Sequence, residues 1–177
     1  RTRALTELRR LSAYRIASNQ LRTSQISSVR TEGPDVKTLA FKDKECAKAK
    51  PGQFLMLWIP GVDEIPLSIL DAREDGVVAV AVKKVGEATR ALHKRRVGDL
   101  VGVRGPFGNN FTVVRGRILM VGGGTGTAPL LFLAKKLPSA TARADFIVGA
   151  VFQKYERKND YYYELIRPKI AHFHLIE

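Results

Sequence analysis

The stretch Arg117-Ile-Leu-Met-Val-Gly-Gly-Gly-Thr-Gly-Thr-Ala-Pro-Leu130 decides how the second half of this chain folds. An apolar run typical of a β-strand leads directly into glycines, and a helical pattern follows over residues 127–137. Glycines let a backbone approach a phosphate closely, and the first amides of a helix have no partner within it, so this layout suits a nucleotide. The strict fingerprint G-x-G-x-x-G is not met, because Thr127 stands where its third glycine would follow Gly122 and Gly124. The stretch predicts a nucleotide site, and a tight turn that only packs a helix onto a strand is the alternative.

Short β-type segments separated by turn residues occupy the part of the chain before this stretch. The segments predicted as strands are residues 26–30, 37–41, 53–59, 66–70, 77–82 and 100–103. Six strands at this spacing indicate a small antiparallel barrel. After Arg117 the pattern becomes strand, helix, strand (145–151), helix (about 159–167) and strand (170–176), which is typical of a parallel sheet built from βαβ units. The predicted fold is a β-barrel followed by a partial α/β nucleotide-binding domain.

A basic extension at residues 1–22 precedes the predicted barrel domain at 23–114 and the predicted nucleotide-binding domain at 115–177. Residues 1–30 carry seven arginines against the single acid Glu7, in a chain whose net charge is +13. An arginine-rich, acid-poor segment of this kind is found in organellar targeting sequences. It would equally suit a docking arm for an acidic partner, or a solvated extension with no specific role.

Three further motifs follow one another along the barrel segment. Residues 63–68 read Asp-Glu-Ile-Pro-Leu-Ser, residues 83–89 read Lys-Lys-Val-Gly-Glu-Ala-Thr, and residues 105–111 read Gly-Pro-Phe-Gly-Asn-Asn-Phe. Together with the glycine-rich turn they resemble, in the same order, the cofactor motifs of the ferredoxin-reductase superfamily of flavoproteins. The resemblance covers about residues 23–151 and implies that the barrel holds a flavin.

This resemblance implies two groups of cofactor-binding residues. The residues implied for FAD are Ile65, Pro66, Leu67, Ser68, Val82, Lys83, Gly86, Ala88, Thr89, Gly105 and Pro106. Those implied for the nicotinamide nucleotide are Gly122, Gly123, Gly124, Thr125, Gly126, Ala128 and Pro129. No protein side chain is implied as a catalytic residue, because the cofactor carries the chemistry in such proteins.

Residues 51–68, Pro-Gly-Gln-Phe-Leu-Met-Leu-Trp-Ile-Pro-Gly-Val-Asp-Glu-Ile-Pro-Leu-Ser, narrow the resemblance. They are similar to the electron-transfer subunits of dihydroorotate dehydrogenase, and also to the flavin subunits of bifurcating transhydrogenases and of cytoplasmic sulfhydrogenases. Such subunits take a hydride from NADH or NADPH onto FAD and pass electrons through a [2Fe-2S] cluster to a catalytic partner subunit. The resemblance therefore implies a cytoplasmic electron-transfer flavoprotein in a hetero-oligomer, in pyrimidine biosynthesis if the partner is dihydroorotate dehydrogenase.

Three features depart from the pattern of that family. Ile65 stands where an arginine meets the flavin phosphate in the superfamily, so that charge would have to be met elsewhere. The nearby candidates are Lys83, Lys84 and Arg90. A [2Fe-2S] cluster needs four thiolates, whereas Cys46 is the single cysteine of the sequence, so this chain alone cannot supply the ligands. The nucleotide-binding half has about three strands, and the alternative is a truncated or cofactor-free flavoprotein fold that serves as a scaffold in a complex.

Composition limits the remaining classes of function. Apolar residues make up 45% of the chain, which suffices for packed cores, but no apolar run approaches the roughly 18 to 20 residues that cross a bilayer. A membrane span is therefore not predicted. One cysteine excludes an internal disulfide, and Cys46 is predicted to be an ordinary surface or half-buried thiol rather than a nucleophile.

Basic and histidine residues raise two further hypotheses, nucleic-acid binding and a metal site. The basic residues between Lys83 and Arg96 lack the interleaved aromatic side chains that stack on bases, so binding to nucleic acid is not expected. His93 is flanked by basic residues and is predicted to lie on a solvated surface. His172 and His174 lie two apart on a predicted strand and would face the same side, yet no further ligand is near, so no metal site is predicted.

Overall fold

The computed structural model describes residues 18–112, 116–137, 142–149 and 172–176. The first part contains the strands β1 (Arg22–Thr31), β2 (Val36–Lys42), β3 (Phe54–Ile59), β4 (Asp63–Ala72), β5 (Val77–Lys83) and β6 (Leu100–Phe107). These six strands form a closed barrel in the order β1-β2-β5-β4-β3-β6, and every neighbouring pair is antiparallel. The prediction of a six-stranded antiparallel barrel is confirmed.

The barrel interior is filled by the alternation of side chains along each strand. In β5, Val78, Val80 and Val82 are fully buried in the barrel core, whereas Ala79 and Ala81 lie on the outer face. Other buried members of the barrel core are Ile26, Leu39, Phe41, Leu55, Leu57, Ile59, Ile69, Val101 and Val103. Large residues inside and small residues outside leave room for a second layer against β5.

A helix, α1 (Glu87–Lys94), connects β5 to β6. Leu92 is fully buried in the barrel core, and Ala88 and Ala91 pack against it. Positions three and four residues apart lie on one side of a helix, so these three residues turn one face of α1 toward the barrel. The start of α1 is left at the surface, close to the end of β5.

The second part of the fold is a parallel sheet with one described helix. Its strands are β7 (Gly116–Gly123), β8 (Ala142–Gly149) and β9 (His172–Ile176), in the order β7-β8-β9. A 3-10 turn (Gly124–Gly126) leads from β7 into α2 (Thr127–Lys136). The core between α2 and the sheet contains Met120, Ala128, Leu131, Ala134, Ala144 and Phe146. The predicted strand–turn–helix unit and parallel sheet are confirmed.

A β-bulge in β4 brings the two parts together. Ile69 pairs with Val80 and Asp71 pairs with Ala79, so one extra residue, Leu70, is inserted into β4. Ile69 belongs to the barrel core, whereas Leu70 is buried in the core beneath α2. Phe132 of α2 makes the reciprocal contact, because it is fully buried in the barrel core. The two cores therefore interlock through α2.

Several predicted bounds were wrong at their ends. β4 begins at Asp63 rather than at residue 66, because Asp63 pairs with Ile59 of β3 although its side chain is polar and exposed. β6 continues to Phe107 because that residue still pairs with Phe54. β8 begins at residue 142 rather than 145, where it pairs with the start of β7. The predicted helix at 159–167 and residues 1–17 of the basic extension lie outside the described residues.

Candidate functional site

A gap between β4 and β5 is the first element of the candidate site. The two strands pair only over residues 69–72 of β4 and 78–80 of β5. Within the described residues, positions 63–68 of β4 and 81–83 of β5 therefore have no strand partner on the sides that face each other. Pro66 lies in this unpaired part of β4, as expected of a residue that strands tolerate at open edges. Unpaired strand edges offer backbone donors and acceptors to a ligand.

The four residues implied for the flavin on β4 divide between two faces of the strand. Ile65 and Leu67 are half-buried and pack against the barrel core. Pro66 and Ser68 are exposed on the other face. Ile65 thus fills an apolar position, and its side chain offers no charge to a phosphate. Contact of all four residues with a flavin remains a prediction.

The loop before α1 is ordered by one hydroxyl. Thr89 Oγ1 accepts hydrogen bonds from the amides of Val85 (2.9 Å) and Gly86 (2.8 Å) and donates to the carbonyl of Gly86 (3.0 Å). The hydroxyl is therefore occupied with holding the loop, and the first-turn amides of Glu87 and Ala88 have no partner within the helix. Those amides, with the positive end of the helix dipole, are the groups best placed for a phosphate. A direct bond from Thr89 to a phosphate stays a prediction.

His93 was wrongly predicted to lie on a solvated surface. It is half-buried, and its Nε2 lies 2.8 Å from the carbonyl oxygen of Val82 on β5, to which it donates. Lys37 Nζ in turn donates to the carbonyl of His93 (2.8 Å), which adds a positive charge at the last turn of α1. These two contacts fix the end of α1 to β5 and β2. They thereby set the direction in which the start of α1 points.

Basic side chains surround the start of α1. Lys83 Nζ lies 3.7 Å from Asp35 Oδ2, and both side chains are about half exposed, at 47% and 45%. Such a loose surface pair contributes little to stability, so the charge of Lys83 remains available to an anion. Lys84 and Arg90 are exposed near the same loop. The charge that Ile65 does not supply can be supplied here.

The turn at residues 105–111 is held from two sides. Gly105 has φ +134°, and a Cβ there would lie 3.1 Å from Cβ of Leu55, so both backbone and space require glycine. Gln53 Nε2 donates to the carbonyl of Gly108 (3.0 Å), and the amide of Phe111 donates to the carbonyl of Pro51 (2.9 Å). The Pro51-Gly-Gln-Phe turn and the Gly-Pro-Phe-Gly turn thus form one unit. A role of Gly105 and Pro106 in contacting the flavin remains a prediction.

Cys46 was predicted to be a surface or half-buried thiol, and this was wrong: it is fully buried. Burial and the neighbouring charge of Asp43 raise the pKa of the Cys46 thiol, so it stays protonated and is not a nucleophile. Asp43 accepts from Arg22 Nε (2.7 Å) and from the Cys46 amide (2.7 Å). Arg22 Nη2 also donates to the carbonyl of Gly105 (3.0 Å), so this cluster supports the turn at residues 105–111. The signal missed in the sequence was Asp43, three residues before Cys46.

The Arg22–Asp43 pair predicts a pH dependence of stability. Burial raises the pKa of Asp43, but hydrogen bonds from Arg22 and the Cys46 amide outweigh it, so the pKa is lowered from 3.8. Because the pKa of Asp43 is lower in the folded than in the unfolded chain, its ionised carboxylate stabilises the folded state at pH values above the unfolded-state pKa. This stabilisation is lost as the pH falls through the folded-state pKa. Asp43→Asn should lower the free energy of unfolding by about 1–3 kcal/mol at neutral pH. It should also make that free energy depend less on pH on the acid side. Denaturant unfolding from neutral to acid pH tests this, and an unchanged acid limb in the variant would contradict it.

The glycine-rich turn is the second element of the site. A Cβ on Gly122 would lie 3.0 Å from Thr127 Oγ1 and 3.1 Å from Thr127 Cα, so this glycine serves the packing of α2 on β7. Gly124 has φ +53°, and a Cβ on Gly124 or Gly126 would meet nothing within 4 Å. Thr127 Oγ1 is buried without a hydrogen-bond partner among the described residues. The packing of α2 on β7 explains Gly122, whereas the open space at Gly124 and Gly126 leaves room for a ligand.

Comparison with known proteins decides the relationship of this chain. It is 37% identical over 142 residues to the probable electron transfer subunit of dihydroorotate dehydrogenase B (NAD(+)) from Methanocella arvoryzae, which covers 80% of this chain and 51% of that protein. The subunit of the same name from Pyrococcus abyssi is 47% identical over 96 residues, 54% of this chain and 37% of the relative. The chain is a homologue of these electron-transfer subunits. It spans about half the length of the curated relatives it matches, and no protein-family model matches it.

Solved structures give the same fold. A chain of the NADH-dependent reduced ferredoxin-NADP oxidoreductase superposes with a TM-score of 0.75 at 28% identity, covering 86% of this chain and 55% of that one. The FAD/NAD-binding domain of nitric oxide dioxygenase from Vibrio cholerae superposes with a TM-score of 0.72 at 19% identity, covering 87% and 73%. The chain therefore shares a ferredoxin-reductase-like fold with these structures.

A membrane-spanning helix and a metal site were both considered from the sequence, and the described part of the chain bears on each. No helix there is both long enough and apolar enough to cross a bilayer. No cluster of three or more potential metal-ligating side chains occurs among those residues. His172 and His174 lie on β9, of which the structure describes the backbone only, so the prediction that their side chains face the same side stays a prediction.

Proposed function

We propose that this chain binds FAD along β4, β5 and the start of α1, binds NAD(P)H at the turn of residues 122–126, and transfers a hydride from the nucleotide to the flavin. Electrons would then pass to a catalytic partner subunit. The names of the homologues suggest dihydroorotate dehydrogenase as that partner. A cytoplasmic role in pyrimidine biosynthesis, which the family resemblance implies, is part of the same proposal.

The position of α2 is the observation that carries this proposal. The turn at Gly124–Gly126 leads into α2, and α2 packs on the outer side of β4 and β5 through Leu131, Leu70 and Ala81. The turn itself also lies against β5. A nucleotide on the turn and a flavin along the gap between β4 and β5 would be neighbours, and hydride transfer requires such proximity.

The residues present fit both groups. Thr127 Oγ1, buried without a partner among the described residues, and the open space at Gly124 and Gly126 suit a bound nucleotide. The first-turn amides of α1, which have no partner within the helix, and the half-exposed Lys83 suit a pyrophosphate. FAD, when bound, accepts a hydride and releases single electrons. The chain's own contribution is to bind the two groups, to orient them, and to neutralise phosphate charge.

Lys83→Met is expected to weaken FAD binding about tenfold or more, because a charge-assisted contact to the pyrophosphate is lost. Lys94→Met is the matched control, since Lys94 is exposed at the opposite end of α1. The purified or FAD-reconstituted chain is heated, the released flavin is identified by chromatography, and affinity is measured by flavin fluorescence. Recovery of FMN alone, or no flavin after reconstitution with excess FAD, would contradict the assignment of FAD. Equal affinities of the two variants would remove Lys83 from the site.

Two alternatives have specific support. A cofactor-free scaffold in a larger complex is favoured by Ile65, whose side chain packs inward where the resembled superfamily carries an arginine. A flavin subunit of a transhydrogenase is favoured by the superposition on the ferredoxin-NADP oxidoreductase chain; the flavin subunit of a sulfhydrogenase is the related option. Retention of FAD separates the scaffold from the others, and the partner that co-purifies with the tagged chain separates the flavin subunits.

A further inference from the structure

The bulge in β4 directs two consecutive side chains toward the same helix. Side chains normally alternate between the faces of a strand, but the extra residue at Leu70 breaks that alternation. Leu70 is buried beneath α2, and Asp71 Oδ2 accepts a hydrogen bond from Lys135 Nζ at 2.7 Å. The next residue, Ala72, returns to the barrel core. One bulge thus supplies both an apolar and an ionic contact to α2.

The two contacts hold α2 at separate points along its axis. Leu131 and Phe132 pack near the middle of the helix, and Lys135 lies in its last turn. Lys135 is eight residues beyond Thr127, or about 12 Å along the helix axis. The ion pair is mostly shielded from solvent, with side-chain exposures of 19% for Lys135 and 18% for Asp71. The apolar packing in the middle of α2 and the ion pair in its last turn together fix the position and orientation of the helix. The turn at residues 124–126, at the start of α2, is thereby fixed as well.

We propose that Lys135 and Asp71 are positioning residues that set the distance between the nucleotide turn and the flavin segment of β4. The inference rests on the proposed function. Ser68, implied to contact the flavin, lies only three residues before Asp71 on the same strand. In the transfer, one hydrogen nucleus and two electrons leave the dihydronicotinamide and join the flavin, which leaves an oxidised nicotinamide. The rate of such a step falls steeply when donor and acceptor are misplaced by a fraction of an ångström to an ångström.

The test compares two adjacent lysines of α2. Lys135→Met and Lys136→Met remove the same charge from the same helix turn, but Lys136 is exposed and only Lys135 contacts Asp71. Hydride transfer from NADH is followed by anaerobic rapid mixing with the FAD-loaded chain, at NADH concentrations from below to above saturation. We expect Lys135→Met to slow the saturated transfer rate about tenfold with little change in the NADH concentration that half-saturates it. Lys136→Met should remain within about twofold of the parent.

A charge exchange supplies the second readout. Asp71→Lys combined with Lys135→Asp restores an ion pair between β4 and α2, so it should recover most of the rate that Lys135→Met loses. Equal saturated rates for the parent and Lys135→Met would overturn the positioning role while leaving the proposed function intact. So would equal losses in Lys135→Met and Lys136→Met. No transfer from either NADH or NADPH in the FAD-loaded parent chain would overturn the proposed function and the inference with it.

Discussion

Gly126→Val is expected to leave the chain folded and able to hold FAD, yet to slow NADH oxidation at least about tenfold, near 1.4 kcal/mol. Gly126 has φ −63° and ψ −14°, which any residue adopts, and a Cβ there meets nothing within 4 Å. The substitution therefore costs little in the unliganded protein. The added side chain would stand in the open space where the nucleotide is proposed to lie. Steady-state NADH oxidation and the circular dichroism spectrum are the two measurements.

Gly122→Val serves as the contrasting variant. Its side chain would press on the backbone of Thr127, with the first added carbon 3.1 Å from Thr127 Cα, so we expect loss of the packing of α2 as well as of NADH oxidation. Gly124 is less useful, because φ +53° makes any substitution there strained. Unchanged NADH oxidation in a folded Gly126→Val variant would favour the alternative in which the turn only packs a helix on a strand.

Phe132→Ala is expected to destabilise the barrel by about 3–5 kcal/mol, although Phe132 belongs to α2. Its side chain is fully buried in the barrel core cluster, and truncation leaves a cavity there. Trp58 on β3 is the single tryptophan of the sequence, so its fluorescence reports the unfolding of the barrel. The denaturant midpoint of that fluorescence change should fall.

Leu119→Ala is the control for this variant. Leu119 is an apolar residue of β7 with 63% exposure, so its truncation should change stability by no more than about 0.5 kcal/mol. A Trp58 transition that Phe132→Ala leaves unshifted would mean that the barrel unfolds independently of the part that contains α2 and the parallel sheet. The inference that α2 interlocks the two cores would then be wrong. The proposal that α2 links the flavin and nucleotide sites would lose its support.

Local patterns were sufficient to predict most elements of the fold. Alternating valines and alanines marked β5, and an apolar run ending in glycines marked β7 and the start of α2. Such signals depend on neighbouring residues only, since side-chain periodicity follows directly from strand and helix geometry. The different roles of Gly122, which packs against α2, and Gly126, which faces open space, could not be predicted. The sequence does not show which of the two glycines lies against Thr127.

Long-range contacts explain what the sequence could not show. The bulge at Leu70 depends on its register with β5, and no residue type signals it. His93 looked solvated because its neighbours in sequence are basic, yet its partner, the Val82 carbonyl, lies eleven residues away along the chain. Arg22 reaches Asp43 and Gly105 from the first strand of the barrel. Each of these features depends on residues that are separated in the sequence and meet only in the folded chain.

The proposed reaction is hydride transfer from a nicotinamide nucleotide to FAD held in the barrel of this chain. It is tested most directly by mixing the FAD-loaded chain with NADH, and separately with NADPH, in the absence of oxygen and following the visible absorbance of the flavin. We predict that the flavin band bleaches with one of the nucleotides, and that it bleaches at least about tenfold more slowly in Gly126→Val. A chain that holds no FAD after reconstitution, or whose bound flavin stays oxidised with both nucleotides, would contradict the claim.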